Sequence, residues 1–232
     1  PERRFGVGRS ADSGFPTASF RPTSARPRAI HVQTLAGLVT DTIEILRNAD
    51  LRALNTFGVA AHARALVRVG TREHLLAALD LAASERLRVE VLGSGSNVLI
   101  VEDLDALVLL PELRGIDWLG VDRGRLHVRA AAGEPWHAFV GETLAHGAFG
   151  LENLALIPGH VGAAPIQNIG AYGVELEQFV VAVEIYDRQQ REFRRLAAAE
   201  CGFSYRDSLF KRPGGDRYVI VAVEFGLSPQ PH

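Results

Sequence analysis

Two glycine-rich stretches hold the residues best suited to chemistry. The first, LGSGSNVLI, sets Gly93, Ser94, Gly95, Ser96 and Asn97 between two apolar runs rich in β-branched residues. Successive backbone N–H groups and small hydroxyls in such a loop can form a concave site for a phosphate or pyrophosphate. The same residues also suit a tight hairpin that uses glycine for positive φ, and the loop alone leaves both readings open. It is not a Rossmann fingerprint. That motif needs a third glycine and a helix after the loop, whereas Val98, Leu99, Ile100 and Val101 read as a strand.

The second stretch, IPGHVGAAPIQNIGAYG over residues 157–173, has no ionisable side chain with a charge near neutrality except on His160. Gly159, Gly162, Gly170 and Gly173, with Ala163, Ala164 and Ala171, let backbone approach a flat ligand, while Gln167 and Asn168 offer amides to its heteroatom edge. Close helix–sheet packing is the alternative use of such small residues. Taken together, the two stretches favour a dinucleotide with a pyrophosphate waist and an apolar ring.

Strands and helices must position these loops. HARALVRV (residues 62–69) alternates as a strand, and Thr71 then caps a helix whose stripe is Leu75, Leu76, Leu79 and Leu81 to Ala83. RVEVL and NVLIVED flank the first glycine loop as strands, DALVLL and RLHVRAAA follow as strands, and EPWHAFVGETLAHG is a helix ending at Gly147. Later, FVVAVEIYD, REFRRL and RYVIVAVEFGL read as strands of another sheet, with a short helix around Ala197 to Cys201. The pattern is α+β without internal repeats.

Composition narrows the classes. With 232 residues, 47% hydrophobic, 22% charged and a formal net charge of -2, the chain can bury a real core in one or two domains. Its basic residues are spread rather than striped, which argues against nucleic acid as a partner. No apolar run approaches the roughly 20 residues of a membrane span and no leader with a cleavage site opens the chain, so a cytoplasmic protein with no membrane partner is expected. A lone Cys201 provides neither a disulfide framework nor a thiolate metal site, and no metal is expected. Residues 1–45 begin with an Arg-, Pro-, Ser- and Gly-rich run and read as a disordered or weakly ordered extension. Because the sequence starts at Pro1 and contains no Met, a chain shorter than the natural protein is also expected.

Four motifs, in order, resemble one family. NTFGV (residues 55–59), LGSGSNVLI, the 28-residue block GLENLALIPGHVGAAPIQNIGAYGVELE (150–177) and CGFSYRDSLFK (201–211) are similar to those of the UDP-N-acetylenolpyruvoylglucosamine reductases, flavoenzymes of peptidoglycan precursor synthesis. The resemblance spans about residues 48–228.

It implies an α+β, two-subdomain FAD-binding fold of the vanillyl-alcohol-oxidase type, with subdomains over 46–112 and 113–232 and the family's third, substrate-binding domain absent. It also implies noncovalent FAD, NADPH as reductant, UDP-N-acetylglucosamine enolpyruvate as the small-molecule substrate, and a monomer when complete. By motif position Gly93, Ser94, Gly95, Ser96 and Asn97 hold the pyrophosphate. Ile157, Pro158, Gly159, Val161, Gly162, Ala163, Gln167, Asn168, Ile169 and Gly170 line the flavin, and Asn55 and Thr56 lie nearby. His160 is expected to be a spectator, and Glu152 and Tyr172 to be capping and packing groups.

Arg206 is the expected catalytic residue, stabilising charge on the substrate carboxylate, with Tyr205 touching substrate. Without the resemblance, a surface ion pair with Asp207 or another carboxylate is the plainer reading of that arginine. The family's proton-donating serine motif has no match, so the chain as given is expected to be inactive or impaired. A flavin oxidase of the same fold and a non-catalytic nucleotide-binding domain are the alternatives.

Overall fold

In the computed structural model, which describes residues 28–30 and 43–231, two five-stranded sheets share one continuous hydrophobic core. The first sheet is built from β1 (Arg28–Ile30), β2 (Ile43–Asp50), β3 (His62–Val69), β4 (Arg88–Val91) and β5 (Leu104–Pro111), in the order β1-β2-β3-β5-β4. β1, β2 and β3 pair antiparallel, whereas β5 runs parallel to both β3 and β4. Helix α1 (Arg72–Glu85) joins β3 to β4. Thr71 starts it by accepting a hydrogen bond from His74 N, and Arg86, in the left-handed region at φ 56°, ends it. Its Leu75, Ala78 and Ala82 are buried at helical spacing against the sheet.

β5 has apolar side chains on both faces and shows no polar alternation. Leu107 and Leu109 enter the shared core, while Val108 and Leu110 join a second cluster with Leu66, Leu92 and Ile100 on the opposite face. Residues 92–103 between β4 and β5 form no strand, contrary to the expectation for Val98 to Val101. Parallel neighbours need a crossover, and this segment is that crossover. Of residues 98–101 only Ile100 is buried, joining Leu92 in the second cluster, while Val98, Leu99 and Val101 are exposed.

The second sheet is antiparallel throughout. It comprises β6 (Ile116–Asp122), β7 (Arg125–Ala131), β10 (Val180–Asp187), β11 (Glu192–Ala197) and β12 (Tyr218–Leu227), in the order β11-β10-β12-β7-β6. β6 was not legible beforehand. It is an edge strand with Leu119 and Val121 exposed, so burial imposes no clear alternation on it. A small hairpin of β8 (Gly170–Ala171) and β9 (Val174–Glu175) completes the set, and Ala198–Cys201 is a turn of 3₁₀ helix.

Helix α2 (Trp136–Ala145) follows β7 and buries Trp136, Phe139, Val140 and Thr143, one face of a helix. The expected end at Gly147 falls two residues past the last helical one, and Gly147 adopts φ 69°.

Most of the segment read as an extension lies outside the described residues. Inside it, β1 and the start of β2 are strand, with Ile43 and Ile45 buried. Alternate apolar residues facing the core give that part a reason to order.

Helix α1 is tied to the second sheet by charge as well as packing. Arg129 on β7 forks onto Glu184 of β10 at 2.6 and 2.8 Å, and Arg72 at the start of α1 reaches the same carboxylate at 2.7 Å. The Arg129 hydrogen bonds hold the Glu184 carboxyl below its ordinary pKa despite its partial burial. Among the described residues no helix is long and apolar enough to cross a membrane.

Candidate functional site

The crossover 92–103 carries the first glycine loop, and loop 51–59 buttresses it. Thr56 donates to Gly95 O from both its N–H (3.2 Å) and its hydroxyl (3.3 Å). Asn55 is buried, its Nδ2 donating to Leu51 O and Val59 O and its Oδ1 accepting from Val59 N. Both side chains are committed to backbone groups. Every polar atom of the Asn55 amide is used to hold the turn that supports the nest.

Gly95 has φ 66°, and a Cβ there would lie 2.0 Å from Leu54 O. The tight fit of the two loops therefore demands glycine twice over, by conformation and by space. Above this support, none of the backbone N–H groups of residues 93–97 has a protein acceptor among the described residues. Their hydroxyls bond mainly to each other, Ser94 Oγ to Ser96 Oγ at 3.0 Å. Grouped N–H donors without partners are the signature of an anion-binding nest.

Facing the nest is the second stretch. A cavity of about 250 Å³ lies between them, with Ser96 and Asn97 on one side, Ile157, Pro158 and Gly159 on the other, and Trp136 at its base. Ala163, Gln167 and Ile169 extend the wall. Asn97 Nδ2 donates to Gln167 Oε1 at 3.0 Å and joins the two lips. A side chain at Gly93 would come within 3.7 Å of Ala163 Cβ, so small residues on both sides set the width of the cleft. Trp136 is fixed from behind, its indole N–H donating to Leu154 O at 2.7 Å.

Three residues of the expected wall direct their side-chain positions away from the cavity. Val161 is fully buried, and a Cβ on Gly162 would collide with Ala132 at 2.6 Å, so these two pack against the second sheet. Asn168 is fully buried at φ 45°; its Nδ2 donates to Glu175 Oε2 and Ser204 O, and its Oδ1 accepts from Glu177 N. No part of its amide remains for a ligand. Asn168 is instead a clamp between the wall and the turn carrying Arg206.

That turn spans residues 204–207, closed by reciprocal Ser204–Asp207 backbone bonds of 3.0 Å. Arg206 is exposed at φ 55°, its guanidinium donates to Gly170 O, and it lies 5.7 Å from the centroid of the exposed Tyr205 ring. Asp207 pairs with Arg212 at 2.7 Å, so the expected alternative of an Arg206–Asp207 pair is not formed. Among the described residues Arg206 has no carboxylate partner. Gly170, next to the cavity-lining Ile169, links this cation to the cleft.

Trp136 and His160 were missed as site residues. Trp136 had a signal, being one of two tryptophans in the chain and set just after a proline at a helix start. His160 had been set aside as a spectator, yet it lines the cavity. Tyr172 is not a packing group; it is 89% exposed at φ 51°. Glu152 does cap, accepting from Gly150 N at 2.6 Å.

Comparison with known proteins gives a consistent outcome. A model of the family described as "FAD binding domain" matches residues 63–194. The UDP-N-acetylenolpyruvoylglucosamine reductase of Pseudomonas putida is 48% identical over 191 residues, covering 82% of this chain and 56% of that protein. The reductase of the same name from Cupriavidus pinatubonensis is 53% identical over 178 residues, covering 77% and 53%. The chain spans about half the length of these curated relatives. Among solved structures, UDP-N-acetylenolpyruvylglucosamine reductase from Thermus caldophilus superposes with TM-score 0.64 at 30% identity, over 82% of this chain and 63% of that one. A solvent-stable cholesterol oxidase, 15% identical with TM-score 0.59 over 81% of this chain and 38% of that one, shares the fold.

Proposed function

The chain belongs to the FAD binding domain family, and from that premise we propose that it is the flavin-binding part of a reductase converting UDP-N-acetylglucosamine enolpyruvate to UDP-N-acetylmuramate with NADPH. The observation carrying the proposal is the unpartnered nest of residues 93–97 facing a wall of small and apolar residues across one cleft. A pyrophosphate and a planar ring in one molecule satisfy both. The identity of about half with reductases of this name directs the choice of substrate.

FAD, when bound, supplies a carrier that takes hydride from a nicotinamide and passes it to an electron-poor carbon. The N–H groups of residues 93–97 and the Ser94 and Ser96 hydroxyls hold its phosphates. Ile157, Pro158, Gly159, Ala163, Gln167, Ile169 and Gly170 border its ring, with Asn97 and Gln167 latched across the cleft. Arg206 receives the substrate carboxylate, where negative charge accumulates as the adjoining double bond is reduced, and Tyr205 flanks the same substrate. Of the nearby serines, Ser208 is not a free proton donor, and Ser204 does not match the family's serine motif. Ser208 Oγ is fully buried and donates to Ile166 O at 2.6 Å, and Ser204 Oγ sits beside the Arg212 guanidinium. A nucleotide sugar and NADPH as reactants are consistent with a cytoplasmic location.

The two half-reactions test this reading. NADPH should bleach the flavin of the reconstituted chain, and in a fusion to the remainder of a related reductase the enolpyruvyl nucleotide should restore its colour under anaerobic conditions. Failure of NADPH to reduce the flavin, with rapid oxygen-dependent turnover of an alcohol, would replace the proposal with an oxidase.

A further inference from the structure

We propose that His160 is a phosphate-side contact for the cofactor and that its protonation tightens FAD binding. This rests on FAD occupying the cleft, as set out above.

The geometry makes His160 more than a bystander. It lines the same cavity as Ser96 and Asn97, and its Nδ1 lies 4.0 Å from where a Gly93 side chain would begin. The imidazole thus lies beside Gly93, the first residue of the nest. Nδ1 is withdrawn from solvent and has no hydrogen-bond partner. A buried polar atom left in that state calls for an explanation, because such atoms are almost always paired.

Two unsatisfied sets therefore adjoin, the N–H groups of residues 93–97 and an imidazole whose two ring nitrogens are both donors once it is protonated. The backbone of His160 is fixed. Its carbonyl accepts from Ala163 N at 3.0 Å, and it forms a bridge with Pro135, so the residue is anchored at this wall of the cleft by its main chain.

The charged groups acting on the ring are Arg114, Glu112 and Glu134. In the free protein, desolvation first and then Arg114 hold the His160 pKa below its ordinary value, with Glu112 and Glu134 opposing. The uncharged ring is thus favoured before FAD binds. A diphosphate diester stays fully ionised across the neutral range and favours the charged ring once present, so the bound-state pKa is the higher one. Affinity must then rise as pH falls through the bound-state pKa, and level off below the free-state pKa.

The test is FAD affinity against pH for the wild-type chain and for His160→Gln and His160→Asn, with folding checked by circular dichroism. The wild-type dissociation constant should fall about 10-fold between about pH 8 and about pH 6, and the variants by less than about 2-fold, as expected for one charge-assisted contact. Calorimetry of FAD binding to the wild-type chain in buffers of different ionisation enthalpy provides a measurement free of variants, and should show net proton uptake. Equal pH slopes in wild type and variants, or no proton uptake, would overturn the inference while leaving the cofactor site intact. A folded wild-type chain that binds no FAD at any pH would overturn the site and this inference together.

Discussion

Gly95→Ala is expected to weaken FAD binding by about 10²-fold or more, the loss of roughly two charge-assisted hydrogen bonds to phosphate. The new methyl would stand 2.0 Å from Leu54 O and 2.8 Å from Asn55 Cα, both backbone atoms that cannot rotate aside. The loop must retreat, breaking the Thr56 bonds to Gly95 O and turning the nest N–H groups off target. Part of the cost falls on the fold itself, so the thermal midpoint should drop by several degrees, at roughly 2–4 °C per kcal/mol for a chain of this size.

Gly58→Ala is the control. Gly58 also has positive φ, 63°, but a Cβ there meets nothing within 4 Å. It should show only the conformational penalty of about 1–2 kcal/mol and keep its FAD affinity within a few-fold. Fluorescence titration of both variants decides the matter. Equal affinities for the two would detach the nest from the cofactor.

Arg206→Lys, in a fusion supplying the remainder of a related reductase, should leave flavin reduction by NADPH within about 2-fold of wild type and slow flavin reoxidation by the enolpyruvyl substrate by about 10²-fold, the scale of losing an electrostatic stabiliser. Lysine keeps the charge but not the planar fork. Arg206 uses one nitrogen to hold Gly170 O, which leaves others for a carboxylate. A single ammonium cannot serve both places as well. Stopped-flow absorbance resolves the two half-reactions, and a wild-type reoxidation rate would remove Arg206 from the chemistry.

Much of this architecture was legible in the sequence because local chemistry and tertiary role agree. Thr71 before a leucine stripe, the uninterrupted apolar run of β5, and Trp136, Phe139 and Val140 at helical spacing each state their own element. The site was legible as two facing loops for the same reason, since glycine and alanine clusters without charge have few uses inside a folded chain.

What escaped depends on contacts across the chain. Asn55 and Asn168 look alike as amides a few residues before a glycine, and only the fold shows that each is consumed in holding a turn. Gly95 reads as room for a phosphate, whereas the space it leaves belongs to Leu54 O. Val98 to Val101 have strand-forming residues, but a parallel crossover took precedence over propensity. His160 gave no signal at all, because an unpartnered nitrogen is a property of surroundings rather than of residue type.

The central claim is that one cleft, between residues 93–97 and 157–170, takes FAD with its phosphates on the nest. Hydrogen–deuterium exchange of the chain with and without FAD tests it most directly, since the N–H groups of residues 93–97 have no protein acceptor to protect them. Peptides covering 93–97 should exchange rapidly alone and become strongly protected by FAD, with peptides covering 157–170 protected in parallel. Bound FAD that leaves the exchange of both stretches unchanged, or protects only other parts of the sheets, would contradict the account.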